Sequence, residues 1–342
     1  MKERNHTIDI LKGLAVFLVV YDHIWHVTGI HFAPFHRYIC AFYMPIFPFA
    51  SGLLTYGRTN ESFFAYFAKK CRAIMKPYTV FFLMYLALGA VFTAILFHKA
   101  FVPKLEWLWA YLFSGNLLSE FSHKTGGAEI NVLWFFETMF FAYLIFWFIS
   151  KLRGFWLVLV LVLVTLFMGA GAVVLQYIFR STDYIWTTPF NFKVIPLFVF
   201  YMCVGALFKE YCVGKVNKIV KVVISLILLI AAIGLIAHFR NVGIITRIKA
   251  PYVPVSVLWL IGLYGIFSAI GRIKLIEYLG RHSLYIYGLH MIFFNILAVR
   301  FKMIGYATDS LPIKLCIIVG SVLACCVCFE IYERVKFKLT GK

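Results

Sequence analysis

Apolar residues dominate this chain in runs of roughly 18 to 24 residues, separated by short polar stretches, and each run is long enough to cross a bilayer as a helix. The runs lie near 8–28, 39–57, 76–98, 130–150, 155–178, 193–210, 218–238, 252–270, 283–300 and 312–334. The pattern predicts an all-α fold, a polytopic transmembrane helical bundle of about ten spans. A further apolar stretch, "LEWLWAYLFSGNLL" at 105–118, is too short to cross easily; with Trp107, Trp109 and Tyr111 it reads as an interfacial or re-entrant helix. No internal repeat is visible and no loop is long enough to form a separate soluble domain, so residues 1–342 are expected to form a single membrane-embedded domain.

Composition supports that class. Of 342 residues, 63% are apolar and only 14% charged, more apolar surface than a soluble core needs. The net charge of +19 suggests the positive-inside bias and contact with anionic lipid rather than nucleic acid, because no basic-aromatic module accompanies it. Arg58, Lys69, Lys70, Arg72 and Lys76 crowd one inter-span segment, which places that segment and both termini in the cytoplasm, although Arg240, Arg247 and Lys249 run against the rule. The first span is too long, and lacks the small-residue cleavage site, for a signal peptide. The eight cysteines show no zinc-like spacing, so no metal site is expected and Cys325, Cys326 and Cys328 read as packing.

The chemistry begins in "LKGLAVFLVVYDHIWH", residues 11–26. On a helix Asp9, Lys12, Val16, Val19, His23 and His26 form one stripe, and Asp22 points elsewhere. Lys12 suits a headgroup contact, and His26 an interfacial position. His23 lies within the span, where ionisable groups are rare and face a cavity or a partner. The next span, "YMPIFPFASGLL", carries two prolines and Ser51-Gly52, which predicts a kinked or broken helix. "VLWFFETMFFAYL" sets Trp134 at a helix start and Glu137 inside it. In "IEYLGRHSLYIYGLHMIFF", Ser283, Tyr287 and His290 share one face; a helix cap explains Ser283 but does not explain His290.

These segments resemble the acyltransferase-3 family of integral membrane acyltransferases, and most closely its fucose 4-O-acetylase-like branch. "IDILKGLAVFLVVYDH" resembles the family's first-helix signature, and "FYMPIFPFASGLL" its second. "FAKKCRAIMKPY" resembles the basic segment before the third helix, "NVLWFF" the opening of the fourth, and "YLGRHSLYIYGLH" a signature near the end. The five occur in register over nearly the whole chain. Two positions depart: Lys12 stands where much of the family has Arg, and Tyr43 where the resembled branch has His before Met-Pro.

The resemblance implies transfer of an acyl group, usually acetyl from acetyl-CoA, onto a sugar hydroxyl of a surface glycan or lipid-linked saccharide at the plasma membrane. It implies His23 as the catalytic residue, either general base or acyl carrier. Lys12, Arg72, Lys76 and Arg281 then form a phosphate site for acetyl-CoA, which is a donor substrate rather than a resident cofactor. Asp9, Asp22, Ser51, Trp134, Glu137, Ser283, Tyr287 and His290 are further candidates. Two other classes fit intramembrane Asp, Glu and His: a proton-coupled transporter, and a non-catalytic partner in a glycan assembly complex.

Overall fold

Continuous apolar sequence with few internal breakers folds here as helix throughout. The computed structural model describes residues 5–23, 38–58, 60–97, 111, 130–179, 194–241, 252–303 and 310–340. Among these every regular element is helical: α1 His6–Asp22, α2 Ile46–Thr55, α3 Phe63–Lys70, α4 Lys76–Phe97, α5 Trp134–Ile149, α6 Gly154–Phe179, α7 Ile195–Tyr211, α8 Lys218–Asn241, α9 Tyr252–Ile270, α10 Lys274–Arg281, α11 Ser283–Met303 and α12 Leu311–Thr340. Each apolar run predicted from the sequence holds one of them. By length and composition, four stretches among the described residues can cross a membrane: Phe63–Leu88, Lys218–His238, Val253–Ile270 and Leu311–Lys338. The protein is an all-helical membrane protein.

The chain divides into two compact units, residues 1–50 with 213–342, and residues 51–212, the boundary falling inside α2. In the first unit α1 is the central element, packed on α9, α10, α11 and α12. Its apolar surface is buried nearly all round, at Ile10, Leu11, Ala15, Val16, Val19 and Val20, as expected of a helix hydrophobic on every face. Asn5 starts it, its side chain accepting the Ile8 N–H at 3.2 Å, and Asp9 in the first turn complements the helix dipole. The outer faces of α8 and α12 leave large apolar side chains exposed, among them Ile219, Ile230, Leu323 and Ile331, as a lipid-facing surface requires.

The predicted break in the second apolar run lies at residues 41–45, between a helical turn at 38–40 and α2. Its cause is Pro45. A helix would pair the Ala41 carbonyl with the N–H of residue 45, which proline lacks. The hydroxyl of Ser256 on α9 donates to the Ala41 carbonyl instead.

In the second unit α5 packs on α7 and on α3, and α6 packs on α7. α3 runs into α4 through a π-helical turn, Cys71–Met75. Pro77 again explains it: the Ala73 carbonyl loses its donor, and the Lys76 N–H reaches one residue further back, to Cys71. The basic segment and the third apolar run are therefore one helical rod. α2 crosses α7 so closely at Gly52 that a Cβ there would lie 2.1 Å from the Met202 carbonyl oxygen.

Candidate active site

His23 caps the C-terminus of α1 with helical backbone angles, φ −70° and ψ −7°. Its N–H donates to the Val19 carbonyl oxygen at 3.1 Å, and its ring Nδ1 lies 2.7 Å from the same oxygen. A carbonyl oxygen only accepts, so Nδ1 carries the hydrogen and Nε2 of the neutral ring keeps its lone pair. The helix end thus fixes both the orientation of the imidazole and the nitrogen that can act as a base.

His290, wholly buried on α11, is arranged in the same way. Its Nδ1 lies 2.8 Å from the Tyr287 carbonyl oxygen and 3.2 Å from that of Ile286, which again leaves Nε2 as the basic nitrogen. The two imidazoles meet edge to face, ring centroids 4.9 Å apart and planes at 61°. The Tyr287 ring lies 5.9 Å from that of His290. Two helices distant in sequence therefore deliver two imidazole rings to one place.

Beside them, Tyr43 donates its hydroxyl to Asp22 Oδ2 at 2.7 Å, and Cys40 Sγ lies 3.8 Å from Oδ1. The break at residues 41–45 carries Tyr43 onto this carboxylate. Tyr43, a position where the chain departs from the resembled branch, thus gains a partner, and Asp22, which points away from the Lys12 stripe, has a phenol and a thiol among its partners. The proline two residues after Tyr43 was the signal for it.

At the other end of α1 the backbone of α10 comes into direct contact. A Cβ on Gly13 would sit 1.9 Å from the Ile276 carbonyl oxygen, and one on Gly280 would sit 1.8 Å from that of Asp9. Only glycine fits at either position. The residues next to these glycines are half-buried Lys12 and exposed Arg281, whose Nε donates to the Glu277 carbonyl at 3.4 Å. Asp9 is buried in the same contact. Glu277, 2% exposed, takes His6 Nδ1 at 2.9 Å, Arg272 at 3.4 Å and the Ile273 N–H at 3.1 Å. Burial alone would raise its pKa, but the hydrogen bonds from His6 and Arg272 outweigh that, and the carboxyl is held below its ordinary value. Lys12 and His23 are eleven residues apart, about 16 Å along the helix. One element therefore carries a cation in its first half and a basic nitrogen at its end.

A family model described as an acyltransferase domain, acyltransferase 3, matches residues 5–330. The chain belongs to the acyltransferase-3 family. No curated protein and no solved structure matches it. Membership makes the chain a membrane acyltransferase, and both His23 and His290 lie within the matched residues.

The remaining described candidates, apart from Ser283, belong to the second unit. Arg72, exposed on the π turn, donates Nε to the Ala68 carbonyl at 3.3 Å, and Lys76 is exposed at the start of α4. Ser51 accepts the Tyr143 hydroxyl at 2.7 Å. Trp134 packs against Phe198, centroids 5.9 Å apart. Glu137 is fully buried, with Tyr78 as its electrostatic neighbour; the Tyr78 hydroxyl donates to the Tyr111 carbonyl at 2.6 Å. Ser283 opens α11 in the first unit, half-buried. His26 and, apart from Tyr111, the stretch 105–118 lie outside the described residues.

Proposed function

We propose that this acyltransferase moves an acetyl or similar acyl group from cytoplasmic acyl-CoA to a sugar hydroxyl of a surface glycan or lipid-linked saccharide. It does so in the plasma membrane, with about ten spans and both termini in the cytoplasm. The observation that carries the reading is His23: an imidazole fixed by its Nδ1 hydrogen bond to Val19, with Nε2 basic and His290 against its ring.

A sugar hydroxyl is a poor nucleophile at neutral pH. His23 Nε2 takes its proton as the oxygen attacks the thioester carbon, a contribution of about 10² to 10⁴ in rate. The C–S bond then breaks and the CoA thiolate leaves, recovering the proton from the imidazolium. The same nitrogen can instead attack the thioester first and carry the acetyl group to the hydroxyl. Lys12 and Arg281 hold CoA phosphates at the start of α1, Lys as a point charge and Arg as a fork. The pantetheine arm then lies along α1 towards His23.

The experiment is turnover of acetyl-CoA by the purified protein in liposomes supplied with glycan acceptor. CoA release should match acetyl incorporation, and acyl-histidine found at His23 in a quenched reaction would select the carrier route. Surface glycan from cells with and without the protein should differ in mass by the acyl group. Solute movement without CoA release, as a transporter gives, would remove the reading.

A further inference from the structure

We propose that the second unit binds an anionic phospholipid, its phosphate held by Arg58, Arg153 and Lys209 and one acyl chain lying in a groove formed by α5, α6 and α7. The site is independent of the acyl-transfer reading and shares no residue with it.

The headgroup end is built around Tyr56. Its hydroxyl lies 2.5 Å from Glu210 Oε2, its carbonyl accepts Lys209 Nζ at 2.6 Å, and the Arg153 guanidinium stacks 4.4 Å from its ring centroid. Gly57, at φ +70°, brings the backbone so near that a Cβ would lie 3.2 Å from the same guanidinium. Arg58 and Arg153 both lie close enough to Lys209 for their charges to act on it. Glu210 also accepts the Gly154 N–H at 3.3 Å. Three cations thus gather beside Tyr56, with Glu210 on its hydroxyl, and Arg58 and Arg153 remain exposed. A phosphate relieves the repulsion and fits the arginine forks.

The surroundings mark a membrane boundary. Phe155 and Trp156 are 70% and 61% exposed, immediately after Arg153 and Gly154, and Tyr211 is exposed two residues after Lys209. Aromatic side chains of this kind sit at headgroup level.

An apolar groove of about 310 Å³ is lined by Ile145, Leu163, Val164, Phe167, Pro196 and Val199 of the same three helices. Leu163 is ten residues from Arg153 on α6, and Val199 ten from Lys209 on α7, each about 15 Å by the helix rise. That is the depth of one leaflet's hydrocarbon, about half of 30 Å. The charge at one end and the apolar channel at acyl-chain depth together select a lipid whose headgroup is an anionic phosphate. With the orientation proposed above it comes from the cytoplasmic leaflet, where such lipids concentrate.

The test uses the full-length protein in phosphatidylcholine nanodiscs, with and without added phosphatidylglycerol, and counts retained lipid by native mass spectrometry. Wild type should retain phosphatidylglycerol selectively. Arg58→Gln and Arg153→Gln should each weaken retention about fivefold, the effect of one surface cation, and Arg153→Lys should weaken it less. Val164→Trp, which fills the groove, should reduce retention with every cation in place. Equal melting temperatures in pure phosphatidylcholine show that the variants fold; for any variant that does not, the remaining ones carry the test. Retention unaffected by the glutamine variants, or by Val164→Trp, would overturn the proposal. So would soluble glycerophosphate competing as well as the lipid, which would make the site one for free phosphate.

Discussion

The imidazoles of His23 and His290 lie edge to face at 4.9 Å, each fixed through Nδ1 to a carbonyl of its own helix. Neither helix places both. The pair exists because α11 packs on α1. The ring that packs against His23 is wholly buried.

His23→Ala should therefore lower acyl transfer by about 10² or more while acetyl-CoA still binds. His290→Ala should lower kcat without raising the Kd for acetyl-CoA, because it removes the ring that packs against His23. Steady-state kinetics in liposomes and acetyl-CoA titration read both effects. Unaltered kcat for His290→Ala would leave that ring a packing role only.

The hydrogen bond from Tyr43 to Asp22 gives a second prediction. Tyr43→Phe keeps the ring and removes the donor from a carboxylate, at a cost of about 1.5 to 3 kcal/mol. Tyr43→His, restoring the residue of the resembled branch, should recover part of that if the imidazole reaches Asp22. Thermal unfolding in detergent measures both variants. A melting temperature for Tyr43→Phe equal to wild type would mean that the bond contributes nothing.

How much of this was legible in the sequence varies with the physics involved. Apolar runs fix where helices form, because a backbone in lipid must satisfy its own hydrogen bonds. The prolines announced a break, and Pro45 produced it. What the sequence did not announce was the consequence: that the break would carry Tyr43 to Asp22 and hand the Ala41 carbonyl to Ser256. Those are contacts between residues distant in sequence. Gly13 and Gly280 stood inside two recognised signatures, yet their mutual approach is a fact of packing rather than of pattern. The pairing of His23 with His290 was equally hidden, although each was singled out alone as an ionisable group inside a span.

The approach at Gly280 is itself testable. Gly280→Ala would place a methyl group 1.8 Å from the Asp9 carbonyl oxygen, a backbone atom that cannot turn aside. Separating α1 from α10 should cost about 3 kcal/mol, the upper end of overpacking. Yield of folded protein and melting temperature should both fall. Gly271→Ala, with nothing within 4 Å of its Cβ but a φ of +89°, controls for backbone strain alone. Wild-type stability of Gly280→Ala would contradict the contact.

Glu277 sets a pH dependence. Its folded pKa is depressed by the hydrogen bonds from His6 and Arg272, so its contribution is fully present above the unfolded value of about 4.3. That contribution is lost as pH falls through the lower folded value. Melting temperature should therefore drop on acidification below about pH 4.5, and Glu277→Gln should flatten that limb while lowering stability at neutral pH. A melting curve of Glu277→Gln parallel to wild type throughout would show that other carboxylates govern the acid limb.

Lys12 separates binding from anchoring. Its neighbour Gly13 is locked against α10, and Arg281 follows Gly280, which is locked against α1. If they hold phosphates of acetyl-CoA, charge matters more than shape at position 12, and Lys12→Arg should keep much of the activity. Lys12→Ala should weaken acetyl-CoA binding by about 1.5 to 3 kcal/mol for one charged hydrogen bond, roughly ten- to a hundredfold in affinity. Arg281→Gln should act similarly, and the double variant should fall short of the sum of the two if both cations share one phosphate. The rival role is that Lys12 only anchors α1 near buried Asp9. In that case Lys12→Ala lowers melting temperature, Asp9→Ala does the same, and affinity barely moves in the protein that survives. Titration of acetyl-CoA into purified, folded Lys12→Ala decides between them, and an unchanged Kd would remove the phosphate role.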